Sequence, residues 1–154
     1  MGVNQSRVRA IYDADAAVLL RDVADGAETS TATETAVSLN ELDTAFWQDG
    51  NEIPYGLIEV GVHITAIDRT TGDETYTFDL IVDDTSNMSD TPKVVASLTG
   101  ITTAGFYTMY VDSKNIPLID SDTSGTDKWI AIKATLGGTT PSVTYGAWMS
   151  KSGC

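Results

Sequence analysis

The strict alternation of apolar and polar residues over residues 58–82 constrains the fold more than any other feature. Apolar residues occupy every second position in two runs, namely Ile58, Val60, Val62, Ile64 and Ala66, then Tyr76, Phe78, Leu80 and Val82. This period of two is typical of β-strands with one buried face. Gly72 and Asp73 lie between the runs, so the stretch predicts two strands joined as a β-hairpin. A hairpin needs another apolar surface over its buried face, so we expect further strands.

Short runs of strand-forming residues recur along the rest of the chain, separated by Gly, Pro, Asp and Thr. They predict about eight strands, with no helical period longer than a turn or two. Short strands punctuated in this way are typical of an antiparallel sandwich or barrel, and the strand count favours a jelly roll. We therefore expect an all-β antiparallel β-sandwich over residues 13–154, preceded by an extended N-terminal arm over residues 1–12.

The run FYTMYVD at residues 106–112 carries apolar residues on both of its faces. Phe106 and Tyr110 alternate with Tyr107, Met109 and Val111. This composition predicts a strand that is central in its sheet or that lies at a subunit contact.

The net charge of the chain excludes one large class of partner. The 154 residues include 22 acidic and 9 basic side chains, for a formal charge of −13. Phosphate backbones are bound by clusters of Lys and Arg, so we expect no nucleic-acid partner. No apolar run approaches the roughly 18 to 20 residues of a membrane span, so no membrane segment is predicted. The length suits one domain, and the single cysteine, Cys154, allows no internal disulfide.

The first 12 residues differ in charge from the 40 residues that follow them. Residues 1–12 contain Arg7 and Arg9 and no acidic residue, whereas residues 13–52 contain ten acidic residues and only Arg21. The N-terminal arm is either a disordered tail or an extended segment that docks on a partner or a neighbouring subunit. Phe46 and Trp47, with Tyr55 nearby, lie on a long connection that either plugs one end of the sandwich or forms a contact patch.

The sequence contains no recognisable catalytic motif. The only histidine, His63, lies on the polar side of a predicted strand, and one His with a terminal Cys cannot make a typical zinc site. Asp73 and Glu74 resemble the paired carboxylates of a glycosidase, but in an acidic chain such pairs arise by chance and indicate an acidic turn. We therefore expect a non-enzymatic protein without a cofactor.

Calcium is the one metal that the sequence suggests. Asp120, Asp122 and Ser124, followed by Gly125, match the opening of an EF-hand loop. The twelfth position of that frame is Ala131, where a bidentate Glu is needed, so a solvated loop is the favoured interpretation. A weaker acidic group lacks the glycine and comprises Asp83, Asp84, Asn87 and Asp90.

The order of these segments resembles the phage capsid cement, or decoration, proteins of the Bbp16-like kind. The resemblance is carried by the N-terminal arm and by four stretches, namely residues 16–42, 58–67, 74–98 and 127–149. The last stretch, DKWIAIKATLGGTTPSVTYGAWM, corresponds to a hairpin that closes the domain.

The resemblance implies a jelly-roll homotrimer on the outer surface of a phage head, in the virion, where it clamps neighbouring capsomers. Its partner would be the major capsid protein, and its role would be mechanical. Arg7, Arg9 and Tyr12 in the arm would then be capsid contacts, and Phe46 and Trp47 would be capsid or subunit contacts.

Two other functions fit a sandwich of this composition. A carbohydrate-binding module could stack sugars on Trp47, Trp129 and Trp148, and this requires the tryptophans to be exposed and coplanar. A tail or head-fibre component is also compatible, since sandwich domains serve many functions and fold alone does not separate them.

Overall fold

The computed structural model describes residues 19–38, 57–112 and 129–151. These residues form ten strands and one short 3-10 turn at Val23–Asp25. The strands are β1 (Leu19–Arg21), β2 (Ala27–Glu28), β3 (Ala32–Thr33), β4 (Val37–Ser38), β5 (Leu57–Ile67), β6 (Thr75–Asp83), β7 (Lys93–Leu98), β8 (Gly105–Asp112), β9 (Trp129–Gly137) and β10 (Val143–Lys151).

The strands form two five-stranded sheets in which every described pair is antiparallel. Sheet A has the order β1-β10-β5-β8, and β2 also pairs with β10. Sheet B has the order β3-β9-β6-β7, and β4 also pairs with β9. The predicted all-β antiparallel sandwich is therefore confirmed. Among the described residues, no helix is long and apolar enough to cross a bilayer.

One apolar core fills the space between the two sheets, and it is built from the alternating residues of their inner faces. Phe78 of sheet B meets Tyr145 of sheet A edge to face, with ring centroids 4.8 Å apart. The alternation predicted for residues 58–64 and 76–82 is confirmed, since the apolar residue at every second position of both runs is buried. The central buried residues of the long strands are Ile58, Val60, Val62, Ile64, Tyr76, Phe78, Leu80, Val82, Ile130, Ile132, Ala134, Val143, Tyr145, Ala147 and Met149.

The alternation fails at the end of β5, where Ala66 is exposed and Ile67 packs on the core instead. The register explains the change, because Ile64 pairs with Tyr145 while Ala66 pairs with the preceding residue, Thr144. Thr65 is thus an extra residue on β5, a β-bulge that moves the following side chains to the opposite face.

The predicted hairpin of residues 58–82 is wrong in its pairing. β5 belongs to sheet A and β6 to sheet B, so the connection between them crosses from one sheet to the other. The predicted closing hairpin of β9 and β10 fails in the same way. Alternation shows that each strand has one face on the core. The same alternation arises whether the next strand in the chain lies in the same sheet or in the opposite sheet, so the pattern does not predict the pairing. Of the long strands, β6 and β7 are the consecutive pair that does form a hairpin.

Among the described strands, the expectation that residues 106–112 form a central strand is not met. In the described part of sheet A, β8 pairs with β5 on one side and stands last in the strand order. The other expectation for this strand, a subunit contact, stays a prediction.

The two ends of the sandwich differ in their connections. At one end, which we call the closed end, short connections join β5 to β6, β7 to β8 and β9 to β10. At the other, the open end, the register places Leu57 opposite Asp112 and Ile58 opposite Lys151 in sheet A. Sheet B brings the end of β4 against the start of β9 at this same end. Residues 39–56, 113–128 and 152–154 therefore attach to the sandwich at its open end.

Candidate functional site

Arg21 is a buried cation, 4% exposed, at the edge of the sandwich. Its Nη1 lies 2.9 Å from Glu28 Oε1 and 2.7 Å from Glu34 Oε1. Its Nε donates to the carbonyl of Tyr145 at 3.1 Å, and its Nη2 donates to that of Gly26 at 2.8 Å. Glu28 belongs to sheet A and Glu34 follows a strand of sheet B, so the guanidinium links the two sheets.

Tyr145 completes this group. Its hydroxyl donates to Glu34 Oε1 at 3.0 Å, and the guanidinium carbon of Arg21 lies 4.6 Å from its ring centroid. Burial, and then the negative charge of Glu34, raise the pKa of Tyr145 far above the ordinary value of a phenol. The phenol therefore stays protonated and donates to the carboxylate. Its role in this arrangement is structural.

Asp73 holds the loops of the closed end together. Its Oδ1 accepts from the Thr139 N–H at 3.1 Å, its Oδ2 accepts from the Thr139 hydroxyl at 2.9 Å, and the Thr71 hydroxyl lies 2.7 Å from Oδ1. Gly138 adopts φ +95°, and a Cβ there would lie 2.5 Å from the Asp73 carbonyl oxygen. The two loops thus approach so closely that only glycine fits at residue 138.

The neighbouring carboxylate, Glu74, is 1% exposed and is satisfied within its own loop. It accepts from the backbone N–H of Thr71 at 3.0 Å and of Gly72 at 2.8 Å, and it also contacts the Thr71 hydroxyl. These bonds from Thr71 hold the pKa of Glu74 below its usual value. A general acid would need a raised pKa, so Asp73 and Glu74 fit the acidic-turn interpretation better than glycoside cleavage.

Asp83, at the open end, also accepts from backbone N–H groups. Its Oδ1 accepts from Thr85 at 3.1 Å and its Oδ2 from Asp90 at 3.1 Å, which fixes the loop after β6. In that loop Met88 packs on Ile81 at the outer face of sheet B. The weaker calcium candidate thus has at least one carboxylate that is used by the loop itself.

Most of the site residues predicted from the sequence lie outside the described residues. These are Arg7, Arg9, Tyr12, Phe46 and Trp47, together with the calcium candidates Asp120, Asp122 and Ser124. Ala131, the twelfth position of the calcium frame, is described and is fully buried in β9. Within residues 19–38, 57–112 and 129–151, no group of three or more His, Cys, Asp or Glu residues could hold a metal ion.

The outer face of sheet A carries a group of side chains that we call the aromatic face: the apolar Leu19, the polar His63, and the aromatic Phe106, Tyr110 and Trp148. Phe106 is 50% and Tyr110 is 55% exposed, and Leu19 is also exposed. The Phe106 ring lies 5.3 Å from that of Trp148 and 6.1 Å from that of His63, centroid to centroid. The two-sided composition of β8 is visible in the sequence, and the register of β8 against β5 brings Phe106 beside His63.

Trp148 forms the floor of the aromatic face. It is only 8% exposed, and its indole lies across Gly61, where a Cβ would be 2.7 Å from Cε2. Trp129 is half-buried on the other sheet, where it packs against Ile81, Met88 and Ala131. These two tryptophans therefore lie on opposite sheets and cannot form one coplanar sugar platform.

The first prediction concerns the buried ion group. Replacing Arg21 by Met leaves Glu28 and Glu34 partly buried without their cation, so we expect the free energy of unfolding to fall by about 3 to 5 kcal/mol. Urea unfolding measures this. Arg69→Met is the matched control, because Arg69 donates one hydrogen bond to the Glu74 carbonyl and should cost about 1 kcal/mol. Equal losses in the two variants would contradict the role assigned to Arg21.

The second prediction concerns Asp73. Hydrogen bonds from Thr71 and then Thr139 lower its pKa from 3.8 to about 2 in the folded protein. Because the unfolded chain takes up the proton first, this contribution to stability is present above the unfolded value and is lost as pH falls towards about 2. Carboxyl NMR titration should place the folded midpoint near that value, and a midpoint at 3.8 would contradict the network.

Thr139→Val removes one donor to Asp73 and should raise the Asp73 midpoint towards its ordinary value. Thr144→Val is the matched control, since Thr144 lies on β10 and makes no side-chain bond to Asp73, and it should leave the midpoint unchanged.

Comparison with known proteins adds no identification: no protein-family model, no curated protein and no solved structure matches the chain.

Proposed function

We propose that this protein is a non-enzymatic structural component of a phage virion, a cement or decoration protein that binds the major capsid protein on the outer surface of the head. The proposal rests on the resemblance of segment order to the Bbp16-like proteins and on the division of the sandwich into a closed and an open end. A homotrimer is part of the proposal, as the resemblance implies.

The strand order supports a jelly roll within this proposal. If β1 with β2 and β3 with β4 are each counted as one interrupted strand, eight strands remain in two sheets of four. In chain order the sheets then have the arrangement 1-8-3-6 and 2-7-4-5. Eight strands in two sheets with repeated crossings between them are the arrangement of jelly rolls, which recur in viral capsid proteins.

The observation that carries the proposal is that the long segments attach at one end. Residues 39–56, with Phe46 and Trp47, and residues 113–128 both join the sandwich at the open end. β1 runs antiparallel to β10, so Leu19, where the described part of the chain begins, is the end of β1 that lies towards the open end. A protein that clamps a shell needs several segments attached on one side, and the strand ends at the open end provide such attachment points.

The hydrogen-bonded charges of the described residues support a mechanical role. Buried Arg21, Glu74 and Asp83 and exposed Asp73 are each held by hydrogen bonds to backbone or to neighbouring side chains. These bonds join loops and sheets, so they stabilise the fold at its edge and its ends. A clamp needs a stiff body, whereas its affinity can come from several weak contacts that act together, which raises overall affinity by roughly 10² to 10⁴.

The carbohydrate-binding alternative is less well supported. It needs tryptophans that are exposed and coplanar, and Trp148 is nearly buried while Trp129 lies on the opposite sheet. A tail or head-fibre component would share the sandwich, and binding to purified heads separates it from a decoration protein.

The third prediction tests the arm. We expect the full chain to sediment with purified phage heads and the chain without residues 1–12 to lose most of this binding while its sandwich stays folded by circular dichroism. The reason is that the deleted residues include Arg7 and Arg9, the first basic residues of an acidic chain. Undiminished occupancy of the heads by the truncated chain would remove the arm from the proposal.

A charge-matched pair sharpens this test. Arg7→Gln with Arg9→Gln should weaken binding to heads by roughly 10-fold, the value of two surface ion pairs, and the loss should shrink at high salt. Arg69→Gln with Lys133→Gln removes the same charge from the described sandwich and should leave binding unchanged. If both pairs weaken binding equally, net charge is responsible and the arm is not.

A further inference from the structure

We propose that residues 19–38, which we call the N-terminal edge, open as one unit away from a sandwich that stays folded, and that Arg21 controls this opening. The N-terminal edge comprises β1 to β4 and the 3-10 turn. The inference goes beyond the proposed function and is tested without phage heads.

The first argument is the pairing of the N-terminal edge. β1 has three residues, and β2, β3 and β4 have two each. In the described sheets each of them pairs only with β9 or β10. On their other sides β9 pairs with β6 and β10 pairs with β5. If the N-terminal edge leaves, six long strands therefore remain paired in two sheets, β10-β5-β8 and β9-β6-β7.

The second argument is the small share of the core that the N-terminal edge supplies. Leu20 is its one buried apolar residue, and Val37 packs on the core while only partly buried. The other buried residues of the core between the sheets all belong to residues 57–112 and 129–151. A segment that buries few apolar side chains opens at a lower free energy than the core does.

The third argument is that the polar contacts of Arg21 make the N-terminal edge one unit. Three of its partners lie in the edge itself, namely Glu28, Glu34 and the Gly26 carbonyl. The fourth is Tyr145 of β10, whose carbonyl accepts from Arg21 and whose hydroxyl donates to Glu34. The guanidinium thus ties the parts of the edge to one another and to one residue of the remaining sandwich, so we expect these parts to open together.

Opening of the N-terminal edge would lengthen the chain that precedes it. The released residues 19–38 would extend the N-terminal arm by up to about 65 Å, at about 3.3 Å for each extended residue. Only this consequence rests on the proposed function, in which the arm contacts the head.

The test is hydrogen exchange of the full native chain in low concentrations of urea. The Glu34 amide reports on the N-terminal edge, because it donates to the Ile132 carbonyl at 2.9 Å, and the amides of β6 report on the remaining sandwich. We expect the Glu34 amide to exchange roughly 10-fold faster or more. Its rate should also depend less on urea, because opening of the edge exposes less surface than global unfolding.

Met109→Ala separates opening of the N-terminal edge from unfolding of the whole chain. Met109 is buried on β8, the described strand of sheet A that is farthest from β1. The substitution should speed exchange of the β6 amides roughly 30-fold or more. It should leave the Glu34 amide unchanged, because Met109 stays packed when only the edge opens. Val111→Ala removes less volume from the same strand and gives the same comparison if Met109→Ala does not fold.

Arg21→Met tests the control of opening. Glu28 and Glu34 lose their cation while partly buried, so exchange of the Glu34 amide should rise roughly 100-fold. Arg69→Met is the matched control, because Arg69 donates to the Glu74 carbonyl at the closed end and should leave the Glu34 amide unchanged.

An engineered disulfide gives an independent test. Thr33 on β3 lies directly opposite Lys133 on β9, and residues opposite each other in an antiparallel pair are close enough for a disulfide. In a Cys154→Ser background, Thr33→Cys with Lys133→Cys should slow exchange at Glu34 and throughout β2 to the rate of β6 when oxidised. The reduced pair should exchange as the wild type does.

Three results would overturn the inference: a Glu34 amide with the same rate and urea dependence as β6, a Met109→Ala variant in which both reporters speed up equally, or an oxidised disulfide that protects Glu34 but not β2. The proposed function would stand in each case, because binding to heads decides it separately.

Discussion

Burial of one face of each sheet against the other is the constraint on which the rest of this structure depends. The chain has one cysteine, so no internal disulfide can form. The described sandwich is therefore held by the apolar core between the sheets and by the polar groups at its edges. The core joins side chains from strands distant in sequence, such as Phe78 with Tyr145. At the edge, Arg21 links a carboxylate of each sheet, and this limits how the sheets can slide. A buried ion pair of this kind adds little net stability, but loss of one member is costly.

The crossings between sheets also give the described sandwich two different ends. At the closed end, Asp73 and Thr139 join two loops, and the close approach at Gly138 leaves room only for glycine. At the open end, the strands lead into the segments that contain the predicted contact residues. The same connectivity thus places hydrogen-bonded short loops at one end and the attachment points of long segments at the other. This division suits a protein that works by holding other proteins in place.

The outer faces of the two sheets are not equivalent. The outer face of sheet B is partly covered by its own chain, because Met88 of the loop after β6 packs there on Ile81. The outer face of sheet A instead exposes Tyr110 and also Phe106, whose ring lies 5.3 Å from that of Trp148. Gly61 allows this indole to lie against the sheet, so a single missing side chain shapes the floor of the face.

The sequence by itself determined the all-β class, the positions of the long strands and the inward residues of most of them, because a strand's period of two is local. It did not reveal the bulge at Thr65, which depends on the register with β10. Nor did it reveal that β5 and β6 lie in different sheets. The alternating pattern of an amphipathic strand is the same whether the next strand pairs with it in one sheet or packs against it from the other sheet. Only the tertiary structure brought Arg21 to Glu34 and Tyr145, and Phe106 to Trp148. Those contacts join residues far apart in the chain, and which of them form is decided by how the sheets pair and pack.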